Sequence, residues 1–223
     1  MNRKKLTLIA TTSVSLLLGA TAITVENAIS SKIEIRVKEK LPSASGISAS
    51  IPFIDIPSNI KSDSIKTINI DIDEYTLKGS DRKTSLAISV RDISKSQPNQ
   101  IGFLEITSTI PASTILSQSE FQDAEIIENA LQISVGTGGL GKAVLVPEYS
   151  NNEIYFQLKS VSVLGSPVTA SSLPADIQEE IKSRSARSIT VPEGLKIMSV
   201  SLGSEGLSVK FQGRNVLLDN LAL

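Results

Sequence analysis

Carboxylates, lysines, tyrosines and hydroxyls are the only side chains here able to carry protons or metal ions, because the 223 residues contain no His and no Cys. That removes the Ser-His-Asp triad, the Cys-His pair, an imidazole base and every His- or Cys-ligated zinc or copper site. Gly136-Thr137-Gly138-Gly139-Leu140-Gly141-Lys142-Ala143 comes close to a phosphate-binding loop, with Gly136, Gly141 and Lys142 correctly spaced. The last position must be Ser or Thr to hold Mg²⁺, and it is Ala143. Such a loop also opens a helix, whereas Ala143-Val144-Leu145-Val146-Pro147 has the make-up of a strand. The segment is expected to be a Gly-rich hairpin between Leu131–Val135 and Ala143–Val146.

Asp71, Asp73 and Glu74 are the one acidic cluster that suggests hydrolysis. A glycosidase needs two carboxylates facing each other across a cleft, and Asp71 and Asp73 share one face of one strand. No EF-hand spacing follows them. A solvated strand face is the simpler reading, and no catalytic residue, cofactor or metal site is expected.

Composition narrows the partners. Apolar residues make up 40% of the chain but aromatic residues only 4%, with no Trp, so Ile, Leu and Val must fill the interior. A chain of this length can bury a core without disulfides. Arg3, Lys4 and Lys5 precede an uncharged stretch from Leu6 to Val25, ending at Glu26. A basic start followed by an apolar segment is an export signal. Ala20-Thr21-Ala22 would allow cleavage after Ala22, while a length of about 20 residues also suits a retained anchor. Either way the body, residues 26–223, lies outside the cytoplasm, secreted or anchored by residues 1–25. Without those three cations it carries a net charge of −4, and an acidic body speaks against nucleic acid as a partner.

The body is mostly a series of strands. Ile68, Ile70 and Ile72 alternate with Asn69, Asp71 and Asp73. Leu86, Ile88 and Val90 do the same, as do Ile154, Phe156 and Leu158, and Leu207, Val209 and Phe211. Period-two patterning places one face in the core and the other in water, as in antiparallel sheet. Lys78-Gly79-Ser80-Asp81, Ser150-Asn151-Asn152 and Gly203-Ser204-Glu205-Gly206 supply turns. Three segments have helical character. Ile29, Ile33 and Val37 make a stripe that ends before Pro42, and a short helix follows Pro111. From Ser172 to Arg187, acids come early and bases late, with Leu173, Ile177 and Ile181 in a narrow apolar stripe. The fold class is therefore α+β, an antiparallel sheet with a few helices packed on one face, in one domain.

Ile51-Pro52-Phe53-Ile54-Asp55-Ile56-Pro57 cannot be an ordinary central strand, with two prolines around four large apolar side chains. It is either an edge tucked into the core or an apolar lip at the mouth of a groove.

In their order along the chain, these segments resemble the LmeA-like family of bacterial envelope phospholipid-binding proteins. The resemblance runs from about Val25 to Leu218. It is carried by the first helix, the Ile51-Pro52-Phe53 step, the strand pair Ser64–Leu77 and Ser85–Ile93, and Ile106-Thr107-Ser108-Thr109-Ile110-Pro111 before a short helix. Val163-Leu164-Gly165-Ser166-Pro167-Val168 then precedes the helix at Leu173–Ile181. Val191-Pro192-Glu193-Gly194-Leu195-Lys196-Ile197, Glu205-Gly206-Leu207-Ser208-Val209 and Gly213-Arg214-Asn215-Val216 complete it. The resemblance implies a TULIP-like fold, a long curved antiparallel sheet wrapped around a few helices and enclosing an elongated apolar groove. It further implies binding of phospholipid tails at a membrane surface without catalysis, in support of envelope lipid or lipoglycan maturation. Ile51, Pro52, Phe53 and Ile54 at the groove mouth, and Leu173, Ile177 and Ile181 on the covering helix, are the side chains expected to meet lipid. The runner-up is a structural or protein-interaction β-domain with a filled core.

Overall fold

A computed structural model describes residues 26–52, 55, 62–76, 83–94, 96, 100–118, 123–135, 141–169, 186–189, 191 and 193–217. The segment expected to direct export, the loop at 136–140, the helix expected from Ser172 as far as Ser185, and the chain beyond Leu217 lie outside them; Arg187, at the expected end of that helix, pairs as a strand with Ile154. Among the described residues two helices, α1 (Glu26–Lys40) and α2 (Ala112–Gln118), stand with twelve strands. The strands are β1 (Ser45–Ser50), β2 (Ser64–Thr76), β3 (Lys83–Ser94), β4 (Gln100–Pro111), β5 (Glu125–Ile127) and β6 (Ala130–Val135). They continue with β7 (Gly141–Ser150), β8 (Glu153–Val163), β9 (Ser166–Thr169), β10 (Arg187–Ser188), β11 (Lys196–Gly203) and β12 (Gly206–Leu217). One sheet has the order β1-β2-β3-β4-β12-β11; the other runs β10-β8-β7-β6-β5, with β9 paired to β8. The chain is therefore mostly β, with two open antiparallel sheets in place of a single long one. The break follows Pro111, which ends β4 and leads directly into α2.

Residue contacts gather into two compact units. The first contains residues 26–108, Val191–Met198 and 210–217 of the described chain. Its interior is aliphatic: Ile68, Ile70 and Ile72 from β2, Leu86, Ile88 and Val90 from β3, and Ile101, Leu104 and Ile106 from β4 are buried. Phe211 and Tyr75 are the aromatic residues buried with them. β2 and β3 pair with Ile68 opposite Val90, Ile70 opposite Ile88 and Ile72 opposite Leu86, so the apolar rows align across the ladder. Thr84 and Ser108 are buried polar exceptions, and their hydroxyls lie 3.1 Å apart. Helix α1 buries Ile33 and Val37 and packs on β1, where Glu34 accepts a hydrogen bond from the Ala49 amide at 3.3 Å. Its last turn closes through Leu41 N to Val37 O at 2.7 Å, before Pro42. The Ile29 side chain lies outside those described.

The second unit contains Thr109–Thr190 and Ser199–Val209. Leu131, Ile133, Ala143, Leu145, Leu158 and Val161 form its buried face. The Gly-rich segment is flanked by the hairpin expected of it: β6 and β7 pair with Leu131 opposite Leu145 and Val135 opposite Gly141. Asn151 and Asn152 both take positive φ between Ser150 and Glu153, which face each other. That is the two-residue turn the right-handed twist of a hairpin prefers, and Asn tolerates it.

The alternation in β8 departs from expectation. Ser160 faces Val144 while Leu158 faces Leu145, so Lys159 is an extra residue and the side-chain phase shifts around it. Towards the other end of the strand Tyr155 is buried, donating its hydroxyl to Glu148 at 3.1 Å, and Phe156 is only half-buried.

Gly206 shows where the backbone permits no side chain. Its φ is +136°, and a Cβ there would fall 1.9 Å from the Ile110 carbonyl oxygen. Gly203, at the other end of the same turn, would meet nothing within 4 Å. Gly206→Ala is expected to cost about 3 kcal/mol or more in urea unfolding, by strain and clash combined, against under about 1 kcal/mol for Gly203→Ala.

Candidate functional site

Of the residues expected to meet lipid, the described chain contains two. Ile51 follows directly on β1 and is buried at 6% exposure, and Pro52 beside it is half-buried. The chain then turns, with the Asp55 amide donating to the Pro52 carbonyl at 2.9 Å. Phe53, Ile54, Leu173, Ile177 and Ile181 lie outside the described residues.

The acidic cluster on β2 has the geometry of a solvated face. Asp71 and Asp73 are exposed on one side of the strand, and Glu74 pairs with Lys83 at 2.8 Å. The ladder slips between Ile72 and Tyr75, which places Glu74 at an irregular position. No other carboxylate is brought opposite them by the pairing: Ser45, Ile47 and Ser48 of β1 face Glu74, Ile72 and Asp71. Among the described residues no three carboxylates gather as a metal site, and no helix is long and apolar enough to cross a membrane.

The sequence reading missed a polar cluster on the outward face of the first unit. Strand β4 carries Phe103 and Glu105, flanked in the sheet by β3 and β12. The Arg91 guanidinium lies 4.1 Å from the Phe103 ring centroid, and that of Arg214 lies 5.8 Å away. Contacts of this kind are worth about 0.5–1 kcal/mol at exposed sites. Next to them the Glu105 carboxylate accepts from Lys210 at 3.1 Å and from Gln212 at 2.5 Å. The alternation slips by one residue at Arg91–Asp92 and at Gly102–Phe103, and Asp92 takes a left-handed φ of 54°. A Cβ at Gly102 would lie 2.9 Å from Asp92 Cβ, so the two irregularities adjoin. The only available signal was the pair of outward aromatic and charged residues on β4; apart from Arg91 on the adjacent β3, their partners Lys210, Gln212 and Arg214 are over a hundred residues away along the chain.

The Lys210 hydrogen bond, then that of Gln212, holds the Glu105 pKa below the ordinary carboxylate value, with partial burial opposing. A carboxylate with a lowered folded pKa contributes stability above its unfolded pKa, and that stability is lost as pH falls through the folded value. The pair is partly exposed, so the contribution is small, about 0.2–1 kcal/mol.

No family model, curated protein or solved structure matches the chain.

Glu105→Gln is expected to lower stability slightly at neutral pH. It should also flatten the stability loss on acidification below about pH 4.3, the unfolded carboxylate value. Urea unfolding of both proteins across that range checks the sign.

Proposed function

We propose that the chain is an exported, non-catalytic module that holds phospholipid tails in an apolar groove at an extracytoplasmic membrane surface. On this reading it serves envelope lipid or lipoglycan maturation. Its strands form a TULIP-like wrap around the helices, with Ile51 to Ile54 at the groove mouth and Leu173, Ile177 and Ile181 along the tails. The observation that carries the reading is the make-up of the inward rows, mostly Ile, Leu and Val with few aromatic residues, in a chain without Trp, His or Cys. An aliphatic wall offers a lipid tail dispersion contacts and no polar group to desolvate. Each methylene moved out of water contributes about 0.8 kcal/mol, so ten give about 8 kcal/mol before the cost of ordering. Drawn from a bilayer, the tail exchanges one apolar setting for another, and the net gain is close to zero. Such a groove suits carrying or presenting lipid better than storing it.

A second reading, a β-domain with a filled core, has its own observation. The buried rows of the first unit are almost closed to water, from 0% at Val90, Ile101, Leu104 and Ile106 to 3% at Leu86. Those side chains are covered by protein atoms, so a groove must be bounded by other residues.

Protein purified without detergent is expected to carry phospholipid, detected by native mass spectrometry and lipid extraction. Purified protein with no bound lipid and no uptake of a fluorescent phospholipid would leave the filled core as the standing reading.

A further inference from the structure

Strand β8 ends in two turns of the same length but opposite character. At one end Asn151-Asn152 joins it to β7; at the other Leu164-Gly165 joins it to β9, with Val163 facing Ser166. Both residues of each turn have positive φ: 50° and 60° in the first, 51° and 80° in the second. This geometry favours Asn, Asp and Gly. Leucine at φ 51° meets steric strain that Asn and Gly largely avoid. The strain is not compensated by burial, because Leu164 is 76% exposed and Val163 beside it 46%. A side chain that suits neither the backbone nor the solvent is kept for something outside the chain.

The surroundings indicate what that is. Ser160 to Thr169 carry no charge, and neither do Gly141 and Val135, the next register positions across the sheet. The first charges met along β7 and β8 from this end are cationic, Lys142 and Lys159, while on β5 the acidic Glu125 stands level with Val144 through Gln132. The acidic Glu148 and Glu153 lie towards the Asn151-Asn152 end. An apolar tip and an uncharged collar match the apolar layer and interface of a bilayer, and Lys142 and Lys159 directly behind them on the tip's own strands suit anionic headgroups. Two apolar side chains are far less than the roughly 800 Å² per partner of a stable protein interface, whereas insertion into lipid gains with each side chain. The hairpin pairs its own backbone groups up to Val163 and Ser166, so shallow insertion leaves few of them unsatisfied.

We infer that the β8–β9 turn is a membrane-contacting tip, with Leu164 entering the apolar layer of a lipid surface. The inference rests on the lipid reading above for its setting, but it concerns contact with the bilayer and not the holding of tails.

The absence of Trp makes the test direct. The full chain bearing Leu164→Trp is mixed with vesicles of phosphatidylcholine and phosphatidylglycerol whose tails are brominated. Emission from position 164 should shift to the blue and be quenched, while Asn151→Trp in the polar turn should keep its water-exposed emission. Because both variants retain the N-terminal segment, any anchoring by it is common to both. Water-like emission at position 164 overturns the inference, and so does a blue shift that needs no vesicles and disappears on dilution, which means a second copy covers the tip. In the otherwise unaltered chain, Leu164→Asn should lower the unfolding equilibrium constant, by roughly three- to ten-fold. A rise instead shows that Leu164 serves the fold, and the inference falls. Bound lipid with an unquenched tip refutes the tip alone. A quenched tip on protein purified free of lipid refutes the groove alone.

Discussion

The constraint on which this structure depends is the strict two-residue period of its strands. With Trp absent and aromatic residues at 4%, the core has to be assembled from many medium-sized aliphatic side chains. Each contributes about 1.5–3 kcal/mol when buried. That works only if every strand presents its apolar residues to the same side. A slip of one residue in a ladder sends a whole row into water. The register of β2 on β3, which sets Ile68, Ile70 and Ile72 opposite Val90, Ile88 and Leu86, is therefore the decision from which the first unit follows. Nothing covalent supports it, since the chain has no cysteine.

Long strands do not hold one phase indefinitely, and this chain resets phase at identifiable residues. In β2 the shift falls between Ile72 and Tyr75, so that Tyr75 returns to the core after two outward acids. In β3 it falls at Arg91–Asp92, where left-handed backbone lets Val90 and Ile93 both point inward. In β12, Asn215 takes φ 52° ahead of buried Val216. Asp and Asn tolerate left-handed backbone at lower cost than β-branched residues. Each reset leaves polar side chains bunched on the outward face. The Arg91, Phe103, Glu105 and Lys210 cluster grows from such a place: bending the strands to keep the core filled also sets the pattern outside.

This explains what could be read in advance. The alternating runs, the turn at Asn151-Asn152, the helix ending before Pro42 and the strand character after Gly141 are local, because each depends on residues a few positions apart. Pro111 could be read as leading into a short helix, but the strands' division into two sheets there depends on pairing partners that no local pattern specifies. The phase shift between Leu158 and Val161 follows from the extra residue at Lys159, which is visible only once β7 and β8 are aligned. Glu105 meets Lys210 through the placing of β12 beside β4, a long-range choice with no short-range mark. Of the residues expected to meet lipid, Ile51 and Pro52 are placed at the end of β1, which accords with an edge or corner position for that segment.

Two kinds of apolar side chain must be kept apart in weighing function. The inward rows are explained by folding alone: their burial offsets chain entropy whether or not a ligand is ever bound. Their aliphatic make-up suits a lipid tail, and a filled core would have the same make-up. Leu164 is different, because folding gains nothing from it and the turn geometry is strained by it. A residue that costs the fold carries more information about partners than many that support it. For a carrier whose tail transfer is nearly neutral in free energy, the controlling step is access to the bilayer, not affinity for the tail. On the proposed reading an exposed apolar tip bears on that step directly, since contact with the bilayer comes before any lipid leaves it.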